Sequence, residues 1–163
     1  MSRMIDMDTI ARVLSSLDRT QLHPPTLLAA ATGMRRGELL ALRWADVDFD
    51  NAILTVSRAL QQTKAGLHPK SPKSGRGRQI ALPKFATAAL RAHKLRQLEE
   101  RLAAGPSYVV NDLVFCRADG SFWPPDSFTG SFASAMRKSA LSGFNFHALR
   151  HAHATVLLKA GVK

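Results

Sequence analysis

Cysteine is nearly absent from this chain of 163 residues, which contains one, and tyrosine also occurs once. A single cysteine excludes an intrachain disulfide framework and any zinc site built from several cysteines. The longest apolar run, Leu27–Ala31, is far shorter than the roughly 20 residues of a membrane-spanning helix. The first eight residues include two acids and no apolar stretch, which is unlike a signal peptide. These absences predict a soluble, cytoplasmic protein with no membrane partner.

Acidic residues are missing from the middle of the chain. No Asp or Glu lies between Asp50 and Glu99, a stretch that holds ten Lys or Arg, and the whole chain carries a net charge of +11. Charge segregated in this way presents a positive face to a polyanion, and nucleic acid is the commonest such partner. A merely solvated basic loop is the alternative that charge alone leaves open.

Length and composition, with 45% hydrophobic and 21% charged residues, are those of one globular domain. The spacing of apolar residues and the positions of Gly and Pro predict six helices: Asp8–Ser16, Thr26–Ala31, Arg36–Leu42, Lys84–Ala104, Asp126–Ala140 and His147–Ala160. Alternating β-branched residues predict strands over Ile53–Leu60 and Arg78–Leu82, with a brief one at Leu113–Cys116. The predicted fold class is mainly α with a small antiparallel β-sheet, an α+β domain.

The two longer predicted strands form a hairpin whose connection, Gln61 to Gly77, is long, polar and basic. A compact domain seldom keeps such a loop unless it is functional or disordered. Either Lys70 or Lys73 could reach a phosphate or a leaving oxygen from this connection. The local pattern does not separate the two lysines.

A second cluster surrounds Arg35, which follows Thr32-Gly33-Met34 and precedes a predicted helix. The first N–H groups of a helix have no intrahelical partner, so a guanidinium beside them makes an anion site. The alternative is a surface ion pair of Arg35 and Arg36 with Glu38.

The third cluster, His147, Arg150 and His151, occupies positions i, i+3 and i+4 of the last predicted helix, so the three side chains share one face. The spacing of the two histidines suits zinc, but Ala148 stands where a metalloprotease has its glutamate base. A cation between two ligands also disfavours a metal ion. We therefore predict no metal at this cluster.

Together these clusters resemble the catalytic domain of the tyrosine recombinases, the phage and transposon integrases. The family's first-arginine segment is similar to TGMRRGELLALRWADVD, its lysine-bearing β-hairpin to PKSPKSGRGRQIALP, and its HxLRH helix to FHALRHAHATVLLKAGV. The segment that precedes this helix in the family resembles LVFCRADGSFWPPDSFTGSFASAM. The resemblance runs from about Thr26 to Val162. Each motif is weak by itself, whereas three in the same order are specific.

The resemblance implies four catalytic residues: Arg35, Lys73, His147 and Arg150. It implies two supporting residues: Glu38 and His151. The implied reaction is the attack of a tyrosine on a DNA phosphodiester without metal or cofactor, in which two guanidiniums stabilise the phosphate charge and a lysine protonates the leaving 5′ oxygen. Five further cations are expected to bind the DNA backbone rather than specify bases: Lys64, Lys70, Arg76, Arg78 and Lys84.

The family's nucleophilic tyrosine has no counterpart here, because it follows the HxLRH helix and this sequence ends at Lys163. Tyr108 precedes that helix, and we interpret it as structural. The sequence thus predicts one domain over residues 1–163, a catalytic domain truncated at its C-terminus and without the N-terminal DNA-binding domains. Such a fragment is expected to bind double-stranded DNA but not to cleave it, and its full-length form to act with other recombinase protomers. The alternatives are a non-catalytic DNA-binding module derived from an integrase and an enzyme similar to type IB topoisomerases.

Overall fold

The computed structural model describes most of the chain: residues 7–72, 75 and 77–152. The chain divides into two compact units. The first comprises Met1–Arg36 and Ser127–Lys163, and the second comprises Gly37–Asp126. The chain therefore passes from the first unit into the second after Arg36 and returns to the first unit at Ser127. The single domain over residues 1–163 stays a prediction.

The first unit opens with two helices, α1 (Met7–Ser16) and α2 (His23–Thr32). Helix α1 turns Ile10 and Val13 into the core, as their spacing predicted. Two prolines occupy the first turn of α2, where a missing N–H costs no hydrogen bond. Gly33 ends α2 in the left-handed conformation, with φ of 72°, which glycine adopts without a Cβ penalty.

Aromatic side chains form the rest of this core. Helix α5 (Pro125–Lys138) buries Phe128 and Phe132 completely. Phe146 meets both rings edge-on, with centroids 5.0 Å from Phe128 and 5.4 Å from Phe132. Such edge-to-face pairs add stability beyond the buried area. This packing fixes the segment that leads into the last predicted helix, which is helical over residues 148–152 and lies outside the described residues from position 153 on.

The second unit contains a three-stranded antiparallel sheet. Its central strand β2 (Ile53–Val56) lies between β1 (Val47–Asp48) and β5 (Arg78–Ala81). The pairing of β2 with β5 is the predicted one, with Leu54 opposite Ile80. Helix α3 (Arg36–Ala41) precedes the sheet, and helix α4 (Lys84–Ala104) follows it with the predicted bounds.

The connection between β2 and β5 differs from the predicted loop. The predicted strand over Ile53–Leu60 breaks at residues 57–58, and a second ribbon follows, formed by β3 (Ala59–Thr63) and β4 (Gly66–Lys70). Arg58 turns away at the break because its Nε donates to the carbonyl of Ala41 at 2.8 Å. Most ribbon side chains face solvent, so the sequence lacks the apolar alternation that reveals a half-buried strand.

The predicted strand over Leu113–Cys116 is wrong. This segment makes only single bridges, from Leu113 to Arg43 and from Cys116 to Phe122. Its apolar side chains are nevertheless buried, including Val114 and Phe115. A short buried apolar run has the same sequence pattern whether or not it pairs with another strand, so the pattern alone predicted a strand here.

Helices dominate the described residues, with small antiparallel sheets beside them, which confirms the predicted fold class. In the part of the chain that the structure describes, no helix is both long and apolar enough to cross a bilayer.

Candidate functional site

Arg35 lies in the three-residue loop between α2 and α3, with its side chain exposed. The loop begins where the N–H of Gly33 donates to the carbonyl of Ala29 at 2.8 Å. It ends where Arg36, the first residue of α3, donates from Nη1 to the hydroxyl of Thr129 at 2.6 Å. Both ends of the loop are therefore held within the first unit, and the predicted position of Arg35 before a helix is observed.

Arg150 approaches the same loop from the far end of the sequence. Its Nε donates to the carbonyl oxygen of Gly33 at 3.0 Å, across 117 residues of sequence. Leu149 and Ala152 are buried on either side of it and fix the helical turn. Because Nε is occupied, Nη1 and Nη2 are the donors that Arg150 can direct at an anion. The structure thus joins the segments of the two predicted catalytic arginines.

His147 and His151 are both exposed at the start of this last helical segment, with ring centroids 5.0 Å apart and nearly perpendicular planes. Asn145 caps the segment, because its Oδ1 accepts from the N–H of Ala148 at 2.9 Å. This cap was not predicted, although an Asn just before a helix is a usual start signal. The side chains described contain no cluster of three His, Cys, Asp or Glu with metal-ligand geometry.

Glu38 and Arg78 form a two-point ion pair in the second unit. Nη1 of Arg78 lies 2.6 Å from Oε2 of Glu38, and Nη2 lies 3.0 Å from Oε1. These hydrogen bonds raise the pKa of Arg78. The pair ties α3 to β5 across 40 residues of sequence. Arg78 was predicted to bind DNA backbone, and the structure places its guanidinium on Glu38.

Three other predicted backbone cations, all in the second unit, lie at exposed positions. Lys64 is at the tip of the β3–β4 ribbon, Lys70 ends β4, and Lys84 begins α4. Lys73 and Arg76 lie outside the described residues. The choice between Lys70 and Lys73 as the catalytic lysine therefore rests on the family resemblance.

Tyr108 is packed within the second unit. Its hydroxyl lies 3.8 Å from Sγ of Cys116, and the guanidinium of Arg101 lies 5.5 Å from its ring centroid. Burial, with the hydrogen bond to Cys116, raises the pKa of Tyr108 to about 12. The packing against Cys116 and Arg101 supports the interpretation of Tyr108 as a structural residue.

The predicted site residues divide between the two units. The first unit holds four: Arg35, His147, Arg150 and His151. The second unit holds the supporting Glu38 and the basic residues of the ribbon and α4. The arrangement in the first unit, two arginine segments joined at one carbonyl, suits a tetrahedral anion.

Solved recombinases share this fold. The Tn1549 transposon integrase in complex with transposon right end DNA superposes with a TM-score of 0.79 at 22% identity, covering 100% of this chain and 55% of that one. For XerA recombinase the TM-score is 0.75 at 21% identity, with 99% of this chain and 51% of that one covered.

The phage integrase family model matches residues 4–163, and the chain belongs to that family. A tyrosine recombinase XerC-like protein of Caldanaerobacter subterraneus subsp. tengcongensis is 31% identical over 169 aligned residues, which cover 95% of this chain. The same alignment covers 43% of that relative, so this chain spans less than half of its length.

Proposed function

We propose that this chain is the catalytic domain of a site-specific tyrosine recombinase that cuts and rejoins double-stranded DNA through a 3′-phosphotyrosine intermediate. One observation carries the proposal: Arg150 is hydrogen-bonded to the loop of Arg35, so one compact unit presents both guanidinium groups. Family membership supports it, as does the DNA bound to the similar Tn1549 integrase. The reaction takes place in the bacterial cytoplasm and involves further recombinase protomers.

The two arginines stabilise the transition state of phosphoryl transfer. Negative charge accumulates on the nonbridging oxygens as a tyrosine oxygen attacks phosphorus and the 5′ oxygen leaves. Guanidinium groups placed in advance stabilise that charge, and removal of one such donor costs on the order of 3 kcal/mol in barrier. Arg35 and Arg150 carry this role.

Proton transfers complete the proposed reaction. Lys73 donates a proton to the leaving 5′ oxygen, a general-acid contribution of about 10²–10⁴-fold. His147 accepts the proton of the nucleophile or hydrogen-bonds the phosphate, and His151 supports it. The phosphotyrosine bond replaces the phosphodiester, so the reaction conserves the bond energy and consumes no nucleotide. We assign Tyr108, whose hydroxyl contacts Sγ of Cys116, a structural role and not that of the attacking tyrosine.

Exposed cations of the second unit bind the DNA backbone. Lys64, Lys70 and Lys84 project from the second unit, and Arg76 belongs to the same basic segment. Arg78 instead holds Glu38, and through it α3, so we assign it a positioning role. Contacts of this kind release counterions from DNA and weaken steeply as salt is raised.

The proposal is tested with this chain and with a longer form that includes the tyrosine-bearing segment. The 163-residue chain is expected to bind duplex DNA in a salt-dependent manner and to form no covalent adduct. The longer form is expected to form an adduct on a suicide DNA substrate, and Arg150→Ala is expected to slow its formation by about 10²–10³-fold. Arg137→Ala, an exposed arginine at the end of α5, is the matched control and should retain the adduct.

Two outcomes decide against the proposal. A longer form that binds DNA without ever forming an adduct supports the non-catalytic DNA-binding module. An adduct formed by the 163-residue chain itself contradicts the assignment of the nucleophile.

A further inference from the structure

Gly33 is the point where the two arginine segments meet. Its carbonyl oxygen accepts from Nε of Arg150, and Arg35 follows it by two residues. Any rotation of the peptide groups at Gly33 and Met34 therefore moves two things together: the carbonyl oxygen that binds Arg150, and the backbone of Arg35. The placement of both guanidiniums depends on what holds these peptide groups.

The hydroxyl of Thr32 holds the peptide group between Gly33 and Met34 in place. The side chain is 5% exposed, and its Oγ1 donates to the carbonyl of Leu28 at 2.7 Å. The same oxygen accepts from the N–H of Met34 at 3.3 Å. Met34 is fully buried, so its N–H has no access to bulk water as a substitute. One hydroxyl thus links the carbonyl of Leu28, in the last turn of α2, to the N–H of Met34, in the loop that follows.

We propose that Thr32 is a positioning residue for the two arginines: its hydroxyl fixes the Gly33–Met34 peptide, which directs the Gly33 carbonyl at Arg150 and sets the position of Arg35. This inference rests on the proposed function for its catalytic consequence, while its geometric part concerns the Arg150 hydrogen bond alone. Without the hydroxyl, the buried N–H of Met34 loses its acceptor. The Gly33–Met34 peptide group then rotates so that this N–H can reach another acceptor.

Helix α2 also supplies a matched control. Thr26 lies in the same helix, is fully buried, and has an Oγ1 with no hydrogen-bond partner. Thr→Val keeps the shape of the side chain and removes only the hydroxyl. Thr32→Val therefore deletes a bridging hydroxyl, whereas Thr26→Val deletes one that bridges nothing. Thr32→Ser restores the hydroxyl without the methyl group.

The first experiment measures hydrogen exchange of the Arg150 Nε–H by NMR in the 163-residue chain. Slow exchange is expected for the wild type, Thr26→Val and Thr32→Ser, and faster exchange for Thr32→Val, because the Gly33 carbonyl has moved. Equal exchange rates in Thr32→Val and the wild type overturn the proposal. This readout does not depend on catalysis.

The second experiment measures adduct formation by the longer form at saturating DNA. Thr32→Val is expected to lower the rate constant on the order of 10–100-fold, because a displacement of about 1 Å forfeits transition-state stabilisation. The dissociation constant for DNA should change little, since the other basic contacts remain. Thr32→Ser should recover most of the rate, and Thr26→Val should match the wild type.

The two experiments separate the possible failures. An unchanged rate in Thr32→Val, or an equal loss in Thr26→Val, overturns the positioning role. A wild-type longer form that forms no adduct overturns the proposed function, and the exchange measurement still decides whether Thr32 places Arg150.

Discussion

The ion pair between Glu38 and Arg78 predicts an unequal response to removal of its two partners. The Glu38 side chain is 10% exposed, whereas that of Arg78 is 49% exposed. Arg78→Ala therefore removes two charged hydrogen bonds from a nearly buried carboxylate. Glu38→Gln leaves a guanidinium that water can reach, with an amide oxygen still beside it. The first change should destabilise the protein more than the second.

The magnitudes follow from two limits. Hydrogen bonds to charged groups contribute about 1.5–3 kcal/mol each when water is excluded, and ion pairs in full contact with water about 0–1 kcal/mol. Because Arg78 is half exposed, the pair lies between these limits. We expect Arg78→Ala to lower the free energy of unfolding by about 2 kcal/mol. For Glu38→Gln we expect about 1 kcal/mol.

Urea denaturation at constant pH and salt measures these differences. Combining Arg78→Ala with Glu38→Gln should cost less than the two single changes added together, because each single change already removes the hydrogen bonds that the two side chains share. Arg137→Ala, which removes an exposed guanidinium, is the control and should change stability by no more than about 0.5 kcal/mol. The reasoning is refuted if Glu38→Gln is the more damaging single change, or if the two changes are additive.

Three further predictions concern other parts of the fold. Burial lowers the pKa of His93 from its usual 6.5, so the folded state binds fewer protons than the unfolded state and stability should fall as pH drops below that value. His93→Gln should flatten this dependence in urea titrations at about pH 5 and pH 7.5, and an unchanged slope contradicts the assignment. Phe132→Ala removes a fully buried ring that Phe146 meets edge-on, which should cost about 3–5 kcal/mol in the same assay. Asn145→Ala removes the cap before Arg150; it should cost about 1 kcal/mol in thermal unfolding, and Asn145→Asp should retain most of the stability.

Local rules were sufficient for most helices. Helix α4 has the predicted bounds Lys84–Ala104, because Pro83 and Gly105 stand at its ends. Helix α5 begins one residue earlier and ends two residues earlier than predicted, within the usual variation of helix ends. Capping and periodicity act over a few residues, so a single sequence carries them.

The β3–β4 ribbon was missed because it lacks a local signal. Gln61, Gln62 and Thr63 all face solvent, so no apolar alternation marks the strand. Its place is determined by a distant close approach instead. A Cβ on Gly37 would lie 2.9 Å from the carbonyl oxygen of Leu60, so the absence of a side chain at Gly37 allows α3 and the ribbon to pack together.

By itself, the sequence determined the chemistry available to this protein: its basic segment, the order of its three motifs, and a family membership that the family model confirms. These depend on residue identity and short spacings. Only the tertiary structure decided which groups meet. It paired Arg78 with Glu38, and it brought Arg150 to the carbonyl of Gly33. The physical reason is that such hydrogen bonds join residues far apart in the chain, and the packing of the core, rather than any local preference, brings them within 3 Å.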